Sequence, residues 1–300
     1  MFRIAYHPIY NHPVPENHRF PMEKYDLLPK QLLLENIVSQ EQFFAPEIAT
    51  IENICLVHNE DYVNRYLNLQ LTDKEIRLTG FKHCQQLIDR ERTLVQGTID
   101  GAVSALKNGA AFNIAGGTHH AFTDHGEGFC MLHDQGIAAR YLLKSNLATK
   151  ILFVDLDVHQ GNGTAEIFKD DARVFTFSMH GKTNYPFKKQ TSDFDIALED
   201  GTDDTMYLAL LTEHLEPLIQ QVKPDFIFYQ AGVDILETDK LGKIYCTIEG
   251  CKQRDKFVFS LAKQYKIPVQ CSMGGGYSPN LTTILKAHTN TFKVATELFT

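Results

Sequence analysis

The chain has 300 residues, 43% hydrophobic and 22% charged, a balance that excludes disorder, collagen and coiled coil and leaves ample material for a core. With 29 Lys+Arg against 37 Asp+Glu the formal charge is -8, which argues against a general nucleic-acid binder. No apolar run reaches the roughly 18 residues of a membrane span, and the opening MFRIAYHPIYNHP meets His7 and Pro8 before a signal-peptide core can form. The expected location is therefore the cytoplasm, where six cysteines without a CxxC pair read as reduced, mostly buried small hydrophobes.

In chain order, residues 2–6 are a short apolar opening, 12–21 a proline-rich loop, and 24–36 and 61–69 predicted helices. Leu94, Val95, Ile99, Ala102, Val103 and Leu106 share one face of a further helix. A strand-like run over 110–115 closes in Gly116-Gly117, and a helix is predicted over 136–144. The apolar run 150–154 ends in DLDVHQGNG, and 173–177 ends in SMH. Leu208, Leu211, Leu215, Leu218 and Val222 alternate gaps of three and four, a strong helix signal over 203–222. Residues 225–229 run into QAGVD, a helix is predicted over 249–265, and 269–271 lead into SMGGGY. Strands alternating with helices imply one α/β domain over 1–300, with a mostly parallel central sheet and helices on both faces. Each Gly, His and Asp cluster follows the C-terminal end of a predicted strand, where open α/β sheets bind ligands.

Asp155, Asp157 and His159 are spaced two apart, so an extended strand would project them from one face. Two carboxylates after an apolar strand are costly if buried unpaired, and a cation offsets that cost. A bare DxD is usually a solvated turn; the histidine on the same face and the following Gly161-Asn162-Gly163 favour a metal site. One imidazole with carboxylates, and no thiolate, suits zinc, Fe(II), Mn or Co. Spacing leaves Asp234 and Asp239 both open as the third ligand. Adjacent His119 and His120 after a glycine turn read as acid–base equipment, with Asp155 available to orient one imidazole. Tyr277 after three glycines offers a phenol to a developing oxyanion, and Gly128-Phe129 a pocket wall. No G-x-S-x-G elbow or cysteine-nucleophile motif is present.

In this order, GGTHHAF, GFCMLHD, DLDVHQGNGT, FSMH, AGVDILETDKLG and GGGY resemble the metal-dependent histone deacetylase family of the arginase/deacetylase superfamily. The class IV and bacterial deacetylase-like branch is most similar. The resemblance spans nearly the whole chain and implies that fold and a zinc-dependent removal of acyl groups from acyl-lysine or acylpolyamine. It implies Asp157, His159 and Asp239 as zinc ligands, His120 as general base, His119 held by Asp155 as its companion, and Tyr277 as oxyanion donor. Gly128, Phe129, Tyr185 and Gly275 would contact substrate. A structural K+ would use Asp155, Asp157, His159, Ser178 and Met179. Two departures stand out: Asn162 replaces an aspartate that partners the second histidine in many members, and MLHD replaces an FNN-like run. Two other readings compete. A two-manganese ureohydrolase would need extra carboxylates in the DVHQG and AGVDILETD segments, and a non-catalytic acyl-lysine binder would have no use for His119, His120 and Tyr277.

Overall fold

The computed structural model describes residues 1–300. Its strands are β1 (Arg3–Ala5), β2 (Phe43–Phe44), β3 (Ala110–Asn113), β4 (Ile151–Asp155), β5 (Val174–Gly181), β6 (Phe194–Leu198), β7 (Phe226–Gln230) and β8 (Val269–Ser272). The helices are α1 (Lys24–Leu34), α2 (Ile51–Ile54), α3 (Glu60–Leu67), α4 (Asp73–Thr79), α5 (Gln85–Asn108), α6 (Asp134–Lys144), α7 (Asn162–Phe168), α8 (Asp204–Val222), α9 (Ile248–Gln264) and α10 (Leu281–Phe299). No helix is long and apolar enough to cross a membrane. The strands form one sheet in the order β2-β1-β3-β8-β7-β4-β5-β6, parallel at every pairing.

β4 (ILFVD), β7 (FIFYQ) and β8 (VQCS) are buried at every position, as strands covered on both faces must be. Alternation along β3 separates the two helix layers. Asn113 Nδ2 donates to Leu94 O at 3.0 Å and Thr98 Oγ1 at 2.9 Å on α5. Phe112 turns the opposite way, its ring 5.8 Å from Phe259 of α9 and 4.7 Å from Phe292 of α10. Burial of a ring such as Phe112, which is 0% exposed, contributes about 1.5–3 kcal/mol. The buried apolar side chains of both layers join in one continuous core.

The strand order positions the site. After β3 the chain lays β4, β5 and β6 outward, then returns to insert β7 and β8 between β4 and β3. Four adjacent strands, β3-β8-β7-β4, therefore open at their C-terminal ends onto the loops 116–120, 274–277, 231–239 and 156–163.

One buried arginine locks two of these ends. Arg254 of α9 donates Nη1 to Leu156 O at 3.2 Å and Gly232 O at 2.5 Å, and its Nε and Nη2 to Asp255 Oδ1 at 2.9 and 2.8 Å. Asp255 also accepts Tyr229 Oη at 2.5 Å and Thr291 Oγ1 at 2.6 Å. Both charges are 0% exposed. Arg254→Ala strands the carboxylate in the core and is expected to cost about 3–5 kcal/mol, read as a fall in the urea midpoint at unchanged slope. A midpoint within error of the parent would mean the pair contributes nothing to holding β4 and β7.

Candidate active site

β4 ends at Asp155, which corrects the expectation that one strand face carries Asp155, Asp157 and His159. The convergence comes instead from successive turns. Asp157 N donates to Asp155 Oδ1 at 3.2 Å, and His159 N to Asp157 Oδ1 at 3.1 Å. An aspartate that accepts the N–H two residues on bends the chain rather than extending it.

The ligand atoms of Asp157, His159 and Asp234 lie within 4.8 Å of one another, and all three residues are buried. His159 Nδ1 is 3.1 Å from both Asp157 Oδ1 and Asp234 Oδ2. Asp239 stands outside this group. Its Oδ1 accepts Leu241 N and Gly242 N at 2.8 and 2.9 Å, and its Oδ2 accepts Tyr277 N at 2.6 Å. Burial, reinforced by the Asp157 charge, raises the Asp234 carboxyl above the usual carboxylate range; burial also raises Asp239. Two buried carboxylates on one imidazole, with a third close by, cannot all ionise cheaply without a cation. An all-oxygen-and-imidazole donor set fits a zinc-like dication. Gly275 closes the cluster, its N donating to Asp157 Oδ2 at 2.9 Å, where a Cβ would strike the Asp234 carboxylate.

Beside this cluster the two histidine rings sit 4.1 Å apart with unlike partners. His119 Nδ1 lies 2.7 Å from Asp155 Oδ2. Burial opposes its charge, but Asp155 and Asp157 outweigh that and hold its pKa above the ordinary value. His120 Nδ1 lies 2.6 Å from Asn162 Oδ1, and Asn162 Nδ2 donates to Glu127 Oε1 at 2.6 Å. Burial, then the neighbouring His119 and His159, push His120 well below its ordinary pKa.

The Tyr277 ring lies 6.1 Å from His159 and 6.0 Å from Phe129, and burial raises its phenol well above the usual range. Gly128, at φ 56°, brings the chain against His120 and Tyr185, and Tyr185 packs edge-on at 4.9 Å from His120. Phe129, Tyr185 and Tyr277 all line an outer cavity of about 610 Å³. Parallel pairing sets Ser178 of β5 opposite Asp155, with Met179 next to it. The expected residues thus lie around one crevice, with Asp239 beside the convergent side chains of Asp157, His159 and Asp234 rather than among them.

Two residues here escape sequence reasoning. Lys24 is 1% exposed and donates Nζ to Gly274 O at 2.9 Å, with Nζ 5.2 Å from the Phe20 ring and 5.3 Å from that of Tyr25. Burial pushes it down to about 8, against the raising effect of nearby carboxylates. A lysine in the first turn of a helix ordinarily reads as solvated. Glu127, which fixes the Asn162 amide, had one available signal, its place directly before Gly128-Phe129.

A sheet of this order with paired imidazoles above an Asp–His–Asp cluster defines the arginase/deacetylase class of α/β proteins. Comparison with known proteins narrows the class. Residues 18–292 match the histone deacetylase domain. An uncharacterised protein of Picosynechococcus is 46% identical over 99% of each chain. Histone deacetylase 2 of Arabidopsis thaliana is 30% identical over 89% of this chain and 72% of the relative. The acetoin utilization protein AcuC of Staphylococcus aureus (strain COL) is 30% identical over 87% of this chain and 72% of the relative. Among solved structures, an HDAC homolog complexed with SAHA superposes with TM-score 0.83 at 25% identity, covering 97% of this chain and 82% of that one. The chain therefore belongs to the histone deacetylase family. By that membership it is a hydrolase of the deacetylase kind.

Proposed function

We propose that the chain hydrolyses the amide of an acyl-lysine or related acylated amine, with Asp157, His159 and Asp239 holding one divalent ion, zinc foremost. The observation that carries this reading is the histidine pair, His119 backed by a carboxylate and His120 by an amide. The ion, when bound, supplies Lewis acidity and a water acidic enough to react near neutral pH.

The chain's own groups do the rest. Glu127 takes the Asn162 amide hydrogen, so Oδ1 faces His120 and Nδ1 must carry the ring hydrogen. That leaves Nε2 as the lone pair, neutral through burial and its imidazole neighbours, to take the proton of the attacking water. His119, kept protonated by Asp155, gives its Nε2 proton to the departing amine. Tyr277 Oη donates to the acyl oxygen as negative charge grows there. Gly128, Phe129, Tyr185 and Gly275 flank the apolar stem of the substrate. Asp155, Ser178 and Met179, with the carbonyls of Asp157 and His159, are the proposed K+ site.

The test is a panel of acyl-lysine peptides and acetylpolyamines with the zinc-loaded chain. Acid and free amine are expected in equal amounts, with activity lost on chelation and restored by about one equivalent of zinc. SAHA, bound by the solved homologue, is expected to inhibit. Inertness across the panel would sink the proposal.

Asn162→Asp, made together with Glu127→Gln so that the new carboxylate meets an amide donor instead of a second carboxylate, supplies a finer check. A carboxylate favours the imidazolium form of His120, so the acid limb of kcat/KM should move to higher pH by about one unit. An unmoved limb would remove His120 from the role of base.

A further inference from the structure

The chain is acidic overall, with 37 Asp+Glu against 29 Lys+Arg, yet the opening outside His120 and Tyr277 carries the opposite sign. Arg19, Arg77, Lys240 and Lys243 line it, and no aspartate or glutamate does. All four are exposed. They come from separate parts of the fold: the segment before α1, the end of α4 and the loop after β7. Lys243 has Asp200 at 3.5 Å, while Arg19, Arg77 and Lys240 have no carboxylate at ion-pair distance.

Other carboxylates lie close by: Asp157, Asp234 and Asp239 sit deeper, beside His159 and Tyr277. Glu16 and Glu23 line the adjoining groove, which shares Arg19 and Lys240. Glu127 is bound to Asn162, and Glu199 to Lys182 at 2.6 Å.

We propose that this collar selects an acyl-lysine set in an acidic peptide segment. The inference rests on the hydrolase reading and names its substrate class. An acetylpolyamine keeps at least one ammonium close to the scissile amide, and a lysine-rich tail keeps several; both meet the unpaired Arg19, Arg77 and Lys240 as they enter. Flanking glutamates meet the same cations with attraction. Each exposed pair is worth a small factor at low salt, and three acting together about tenfold or more, chiefly through encounter and orientation. The exposed Phe187 and Leu78 beside the opening offer apolar ground for neutral neighbours of the lysine.

The test takes three acetyl-lysine peptides that differ only in four flanking residues, all Glu, all Gln or all Lys. Turnover is measured with the zinc-loaded chain, and binding separately by anisotropy of labelled peptides, which needs no turnover. At about 20 mM salt the Glu peptide is expected to exceed the Lys peptide at least about tenfold in kcat/KM and in affinity. The ratio should shrink towards unity above about 0.5 M salt. In the R19E/R77E double variant, which leaves two lysines against two glutamates, the ratio is expected to fall to near unity, and taking the ratio within one variant cancels any loss common to both peptides. Turnover without acidic preference overturns the inference and leaves the hydrolase reading standing. Selective binding of the Glu peptide without turnover of any peptide does the reverse. An oligonucleotide of equal charge that outcompetes the Glu peptide would also overturn the inference.

Discussion

Tyr277→Phe is expected to lower kcat by about 10²–10³ while leaving substrate affinity within a few-fold. The substitution keeps everything that the ring does for the fold. The ring packs 5.9 Å from Phe20, 6.0 Å from Phe129 and 6.1 Å from His159, contacts that a phenylalanine preserves. The backbone N–H that donates to Asp239 is untouched. Only the hydroxyl goes, and burial holds its pKa well above the usual phenol range, so at assay pH it is always a donor and never a phenolate. A donor aimed at charge that appears only in the transition state affects kcat rather than binding. Steady-state kinetics on one acetyl-lysine peptide, with thermal melting as the control, checks this. A loss below about threefold would assign oxyanion stabilisation to another group.

Which parts of this architecture local patterning reveals follows from what local patterning encodes. The doubly covered strands β4, β7 and β8 appear as unbroken apolar runs, and α8 as leucines at helical spacing, because burial there is set by neighbours close in sequence. The helix α10 hides. Its buried face includes His288, Thr289 and Thr291, polar side chains that interrupt the periodicity and that only tertiary packing covers. The edge strand β6 (FDIAL) is half-buried along most of its length and carries no comparable run. Motif order brings the site loops together correctly because each follows a strand. The path beyond Asp155 does not follow from strand alternation, since side-chain caps turn the chain there. Nor can spacing foresee that Lys24 is drawn under the GGGY loop by a carbonyl 250 residues away.

The choice between Asp234 and Asp239 is the sharpest open test of the metal assignment. Asp234 is 0% exposed, with Oδ1 accepting Val158 N at 3.0 Å and Oδ2 facing His159 Nδ1 at 3.1 Å. Those bonds suit a residue that orients a ligand from behind. Asp239 is partly exposed and directly precedes Lys240 and Leu241 of the opening. Three backbone N–H groups fix its two oxygens, and ligating carboxylates are commonly held in this way by a surrounding set of donors while lone pairs remain for the ion. Asp239→Asn is therefore expected to weaken zinc at least about tenfold more than Asp234→Asn, whose own loss should stay within the 10- to 100-fold range of an outer partner. Competition titration against a chromophoric chelator reads both affinities without any substrate, and thermal melting of the metal-free proteins separates folding loss from ligand loss. The opposite ranking would move the third ligand to Asp234, matching the three atoms that already converge, and would leave Asp239 as the clamp that ties the Lys240 loop to Tyr277.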